Sequence, residues 1–242
     1  MPIRTAKAFP LILSVSVACL AGCASHDIQR KDGRRFEHTI EIENLAKTDI
    51  DIVSEQTQRE VLAGLKRLTV KLYLRNPREY RKGGYADVDS AVASIFGHVR
   101  PWHESSLANV DWAHSLRQAF NEHYGGDRVH AFMLALTVMV MASYDNRTHF
   151  YFTDELNAQS LYNSARNLET AAWKLSNARW PDGSLILISN SLDENQPNLS
   201  FEREFGKLIA EQDMMALIIE DKSNRIVNRV IQNVASFILL PV

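Results

Sequence analysis

Residues 131–142 read AFMLALTVMVMA, apolar on every side of a helix except at Thr137, with Asp127 just upstream as a natural cap. A helix greasy all round is either the centre of a core or a membrane span. A bilayer core about 30 Å thick needs roughly 20 such residues, and this run is too short. The stretch therefore predicts a central helix around which other helices pack.

Upstream, Ile52, Val61, Leu62, Leu65, Leu68 and Leu72 recur mostly at three- and four-residue intervals, with charged residues between them. This is the inward stripe of a long amphipathic helix. Thr48 or Asp49 is placed to cap it, and Asn76-Pro77 to stop it, because proline disfavours helical geometry in the residue before it. Gly83-Gly84 marks a break before a short helix from Asp87 carrying Ala91, Val92, Ile95 and Phe96. After a turn over Gly97–Pro101, Trp112, Leu116 and Phe120 predict a third helix, ended by Gly125-Gly126.

Downstream, acids at Asp154 and Glu155 suit a helix start, where the partial positive charge favours them. Leu161, Ala165, Leu168, Ala172 and Leu175 then form one packed face. Trp180-Pro181-Asp182-Gly183 reads as a turn. Residues 185–188 (LILI) are compatible with a short buried strand or with another core segment. Ser200 is expected to cap a helix with Phe201, Phe205, Leu208, Ile209, Met215 and Ile219 inward. Asp221–Asn224 is expected to interrupt it before a last helix with Ile226, Val230, Val234, Phe237 and Ile238. The fold class is all-α: a single multi-helix domain of six or seven helices over residues 44–242.

The chain has 242 residues, a formal net charge of −2 and 45% hydrophobic residues. This excludes a disordered acidic tail and a basic protein held to nucleic acid by counterion release. Nucleic acid is not an expected partner.

The first 22 residues carry Arg4 and Lys7, then the apolar run Ala8–Leu20, and end in Leu20-Ala21-Gly22 before Cys23. This order resembles the signal peptide and lipobox of bacterial lipoproteins. The resemblance implies removal of residues 1–22 and acylation of Cys23 with a diacylglycerol and an N-acyl (palmitate-type) chain. It also implies a periplasmic protein held to a membrane. Ala24 and Ser25 follow the cysteine where an inner-membrane lipoprotein of that family tends to carry aspartate, which implies the periplasmic face of the outer membrane in a Gram-negative source. The only other cysteine, Cys19, would leave with the signal, so no disulfide, thiolate ligand or cysteine nucleophile is expected. Residues 23–43 read as a lipidated tether whose Arg30, Lys31, Arg34 and Arg35 either lie against anionic headgroups or are simply solvated.

Chemistry-bearing patterns are sparse. There is no G-x-S-x-G elbow, no H-E-x-x-H and no phosphate or dinucleotide loop. His98, His103 and His114, with Asp111, cluster around a turn and helix start but lack the spacing of a metal site. No metal or other cofactor is expected beyond the acyl chains. The segment Tyr144–Phe152 (YDNRTHFYF) sets Asp145, Asn146, Arg147 and His149 beside four aromatics, so it reads as a binding cluster or as a tight structural connection. Residues 75–82 (RNPREYRK) suit an acidic partner or a solvated connection. Met133, Met139 and Met141 are adaptable enough to border a ligand cavity, although core packing is the far commoner reason for such residues. The expected function is a lipid-anchored envelope protein that binds or assembles another envelope component. The alternative is a periplasmic hydrolase or metal-dependent enzyme using His and carboxylate side chains from separate helices.

Overall fold

Backbone contacts divide the chain into residues 1–45 and 46–242. The structure, a computed structural model, describes residues 47–97, 99, 102–191 and 198–238, with the side chains of 103 and 226–238 outside the description. His98, most of the Gly97–Pro101 turn, the tether and the Cys23 region lie outside the described residues.

Among the described residues, seven α-helices follow in order: α1 (Asp49–Arg75), α2 (Pro77–Lys82), α3 (Val88–Phe96), α4 (Trp112–Ala119), α5 (Arg128–Ser143), α6 (Ala158–Asn177) and α7 (Ser200–Ile238). Two single-turn 3-10 segments, Trp102–Glu104 and Ser106–Asn109, lie between α3 and α4. The described residues contain no sheet, only isolated bridges pairing Arg179 with Leu185 and Ser191 with Asn198. The architecture is all-α.

α5 is the hub, with α1, α2, α3, α4 and α6 all packed on it. Every residue from Ala131 to Met141 is buried. Its one polar member, Thr137, donates its hydroxyl to the Met133 carbonyl at 2.8 Å, so nothing polar is left bare in the core. α7 runs antiparallel to α6, with Ser176 bonded to Glu202 near one end and Arg166 to Asp213 further along. It also lies along α1, held by Arg67–Glu204 and Lys222–Asp51. At the α1–α7 crossing, a Cβ added to Gly64 would sit 2.4 Å from Leu208 Cδ2, so the helices approach closely only because that position has no side chain.

The helix starts follow local chemistry. Thr48 and Asp51 form a reciprocal capping box on α1, Asp87 and Ser90 do the same on α3, and Asp127 accepts from the His130 amide on α5. Several boundaries differ from the sequence pattern. α4 ends at Ala119, not at Gly125, because Arg128 draws the carbonyls of Ala119 and the following loop onto its guanidinium. Residues 77–82 form the extra helix α2, with Pro77 in the first turn where its missing N–H loses nothing. α6 starts after Asn157, not at Thr153, since Asp154 is occupied in a turn, accepting from the Tyr151 amide at 2.9 Å and pairing with Arg147. Asn198, not Ser200, supplies the side-chain oxygen at the start of α7, taking the Ser200 amide at 3.0 Å.

α7 passes through Asp221–Asn224 without a break. None of those residues is glycine or proline, Lys222 pairs with Asp51, and Ser223 bonds back to the Ile219 carbonyl. Near the start of α1, Ile52 points out and is 40% exposed, while Asp51, Ser54, Glu55 and Gln58 are buried. That half of α1 faces backbone groups of the loop after α5, which require polar partners. Residues 185–188 form no strand of a sheet. Leu185 bridges Arg179, Ile186 donates to the Ala178 carbonyl, and both Ile186 and Leu187 are buried.

Candidate functional site

α6 presents different side chains on its two outer flanks, because residues three and four apart share a helical face. On the flank toward α7, Ala158, Gln159, Tyr162 and Arg166 face Asp213, Ala216, Leu217 and Glu220 across a groove of about 680 Å³. Arg166 sits at its centre. One guanidinium nitrogen meets Asp213 Oδ2 at 2.5 Å, another meets Glu169 Oε1 at 2.8 Å, and the group lies 5.0 Å from the Tyr162 ring centroid. Arg166 Nε and Asp213 Oδ1 are nevertheless shielded from water and lack a partner among the described residues.

Large apolar side chains lie exposed on these two helices: Tyr162 is 47% exposed, Leu217 57%, Met214 59% and Trp173 66%. Isolated exposed apolar residues are ordinary, but a group of them on two adjoining helices is a feature of interaction surfaces. The charge here is acidic: Arg166 is outweighed by Asp213, Glu169 and Glu220.

The segment 144–152 is a tight connection between α5 and α6. Asp145 and Asn146 both take left-handed backbone conformations, at φ 55° and 57°, and their amides close the end of α5 by donating to Ala142 and Met141. The Asn146 side chain accepts from the Trp102 indole at 2.9 Å, the Arg147 carbonyl accepts from Gln58, and Arg147 pairs with Asp154. His149 is half-exposed, with Nδ1 3.8 Å from Glu55 Oε1, and that carboxylate also takes the Phe150 amide and Lys47. Of the four aromatics, Tyr144 and Phe150 are core and Phe152 is exposed. Asp145, Asn146, Arg147 and His149 are thus neighbours in one loop, with Asn146 and Arg147 bonded to the protein itself and the Asp145 side chain exposed.

Asp111 accepts from the His114 amide as the cap of α4, a bond that holds its carboxyl below the usual range, and the His114 ring is exposed. His103 side-chain placement, like His98, lies outside the description. In the 75–82 stretch, Asn76 bonds both backbone groups of Ile188, and Glu79 turns inward to accept from the Arg128 amide at 2.8 Å. Met133 and Met141 are core, whereas Met139 borders a second, smaller pocket.

The cluster at the start of α5 has no signature in the sequence. The Arg128 guanidinium is buried, donates to the carbonyls of Ala119, Asn121, Glu122 and Tyr124, and lies 4.7 Å from the Trp180 ring centroid. Tyr73 donates its hydroxyl to Asp127 Oδ2 at 2.9 Å. Burial raises the Asp127 carboxyl and the Tyr73 phenol above their ordinary ranges and lowers the His130 imidazole. Glu79, Asp127 and Arg128 are committed to backbone or phenol partners, so this is a structural knot and not an acid–base array.

No helix among the described residues is long and apolar enough to cross a membrane. No protein-family model matches the chain, and neither does any curated protein or solved structure.

Proposed function

We propose that this chain is a lipid-anchored helical envelope protein, a binding or assembly module whose α6–α7 groove receives a basic, amphipathic segment of another envelope protein. The observation that carries the reading is the groove itself: exposed Tyr162 and Leu217 beside a charged centre in which Asp213 and Glu220 outnumber Arg166. Apolar anchors on the partner would bury against those side chains, and a lysine or arginine would meet Glu220 and Asp213. The apolar anchors supply the buried area, and the carboxylates select a basic partner over an acidic one.

Anchoring rests on Leu20-Ala21-Gly22-Cys23. Each buried acyl methylene contributes about 0.8 kcal/mol, so several chains on Cys23 would hold the protein at the periplasmic face of the outer membrane without a spanning helix. Cys23→Ser is expected to release the protein on carbonate extraction; full retention in the membrane would end the anchoring claim. A photocrosslinking residue at Leu217 in intact cells is expected to give one discrete adduct. The adduct's peptide should be net basic, and Asp213→Lys with Glu220→Lys should abolish it. An adduct indifferent to that charge reversal, or none, would sink the docking claim.

A further inference from the structure

On the opposite flank of α6, the first half of the helix lines a pocket that carries no charged side chain. Ser160, Asn163, Ser164 and Asn167 lie beside Trp112 of α4 and Met139 and Ala142 of α5, and with them line an open pocket of about 240 Å³. Every polar group in it is a hydroxyl, a carboxamide or the indole N–H. Such groups can donate and accept in several directions but select neither anion nor cation.

These groups differ in how far the protein uses them. Gln212, fully buried on α7, donates through Nε2 to Ser164 Oγ at 3.0 Å and to Ser143 Oγ at 3.4 Å, while its Oε1 accepts from the Tyr144 hydroxyl at 3.0 Å. Ser143 passes its own proton to the Val140 carbonyl at 2.7 Å. Ser164 does not: it is 2% exposed, its oxygen is held by Gln212, and its hydroxyl proton has no acceptor among the described residues. A buried amide therefore orients a buried hydroxyl whose remaining capacity is a donor at the pocket wall. Around it, Asn163 uses its oxygen on Gln159 and retains its NH2, while Asn167, the Ser160 hydroxyl and the Trp112 indole N–H carry no side-chain hydrogen bond among the described residues.

We propose that this pocket binds one neutral pyranose ring. The ligand must offer several hydroxyls to fixed neutral donors and acceptors, one apolar face to an indole, and no formal charge. A pyranose does all three, since its C–H face is apolar and faintly positive and the aromatic face is faintly negative. A pocket of about 240 Å³ has room for a single ring. The accessible wall is more polar than apolar, which suits a small guest rich in hydroxyls better than a hydrocarbon one. The site is independent of the α6–α7 groove, because it uses the other side of the helix.

The test is saturation-transfer NMR and calorimetry on the full chain in sugar-free buffer, with D-glucose and N-acetyl-D-glucosamine as probes and D-glucuronate and cyclohexanol as controls. Binding of a neutral sugar is expected with a dissociation constant on the order of 1 mM. It should weaken at least about tenfold in Asn167→Ala and in Trp112→Ala, and persist in Trp112→Phe. Asn167 is only half-buried on α6, so its variant keeps the test valid should Trp112→Ala fail to fold. The proposal is overturned by any of three results: no transfer to either sugar, binding unchanged in Asn167→Ala, or tighter binding of glucuronate or cyclohexanol than of both sugars.

Discussion

The start of α5 and the outer flank of α6 both gather polar side chains next to the core, yet they are built to opposite ends. At α5, Arg128, Asp127, Glu79 and Tyr73 close on one another and on backbone carbonyls, leaving only Arg128 Nε without a partner. At α6, the Ser160 and Asn167 side chains are uncommitted among the described residues, Asn163 bonds Gln159, and Gln212 ties Ser164 to the interior. Charged groups removed from water must be paired inside, or the fold pays heavily in desolvation. Neutral groups at a pocket rim carry no such demand and stay available to a ligand. One cluster holds the structure together; the other is the one the proposed sugar site would use.

Substitutions can break this contrast. The largest effect is expected from Arg128→Met, which strands the loop carbonyls after α4 and empties the space against Trp180. Loss of about 3–5 kcal/mol in urea unfolding would mark the cluster as a structural knot. Tyr73→Phe should cost about 1.5–3 kcal/mol, because it removes a bond to a buried carboxylate and keeps the ring. A change below about 0.5 kcal/mol would mean that Asp127 finds another partner.

pH sharpens the same comparison. Burial holds the His130 imidazole below 6.5, with the Asp127 carboxylate opposing. Between that lowered value and 6.5, the unfolded chain binds a proton that the folded chain refuses. Stability should therefore rise with pH through this window and level off above it, at no more than about 1.4 kcal/mol per pH unit for one proton. Comparing urea midpoints of wild type and His130→Phe across the window isolates the effect, and parallel curves would exclude it. Asp127, raised above 3.8, acts in the other direction at lower pH, where stability falls as its carboxyl ionises. The smallest effect belongs to the pocket: Asn163→Ala should shift the unfolding midpoint by less than the equivalent of about 0.5 kcal/mol. A larger loss there would make the α6 flank structural too.

Much of the fold is legible in residue order. The all-round apolar Ala131–Ala142 announces the hub, and Thr48, Asp87 and Asp127 announce helix starts, because capping involves residues only three apart. Boundaries set by distant groups are not legible: α4 ends where Arg128 reaches back, and Asp154 is drawn into a turn by Arg147. Ile52 looks like core by spacing, yet Glu55 and Gln58 take the inside because loop backbone lies opposite. The segment 144–152 displays its polar residues openly in sequence, but the fold turns most of them on the protein itself.

The proposed sites were hidden for a different reason. Ser160, Asn163, Ser164 and Asn167 look like any solvated helix face, and Trp112 stands almost fifty residues away. Periodicity and capping, being local, determined from the sequence alone that this chain forms helices around one greasy centre. Which polar groups are closed off and which are left open only the tertiary structure decided, since burial and hydrogen-bond partnership belong to pairs of residues far apart in the chain.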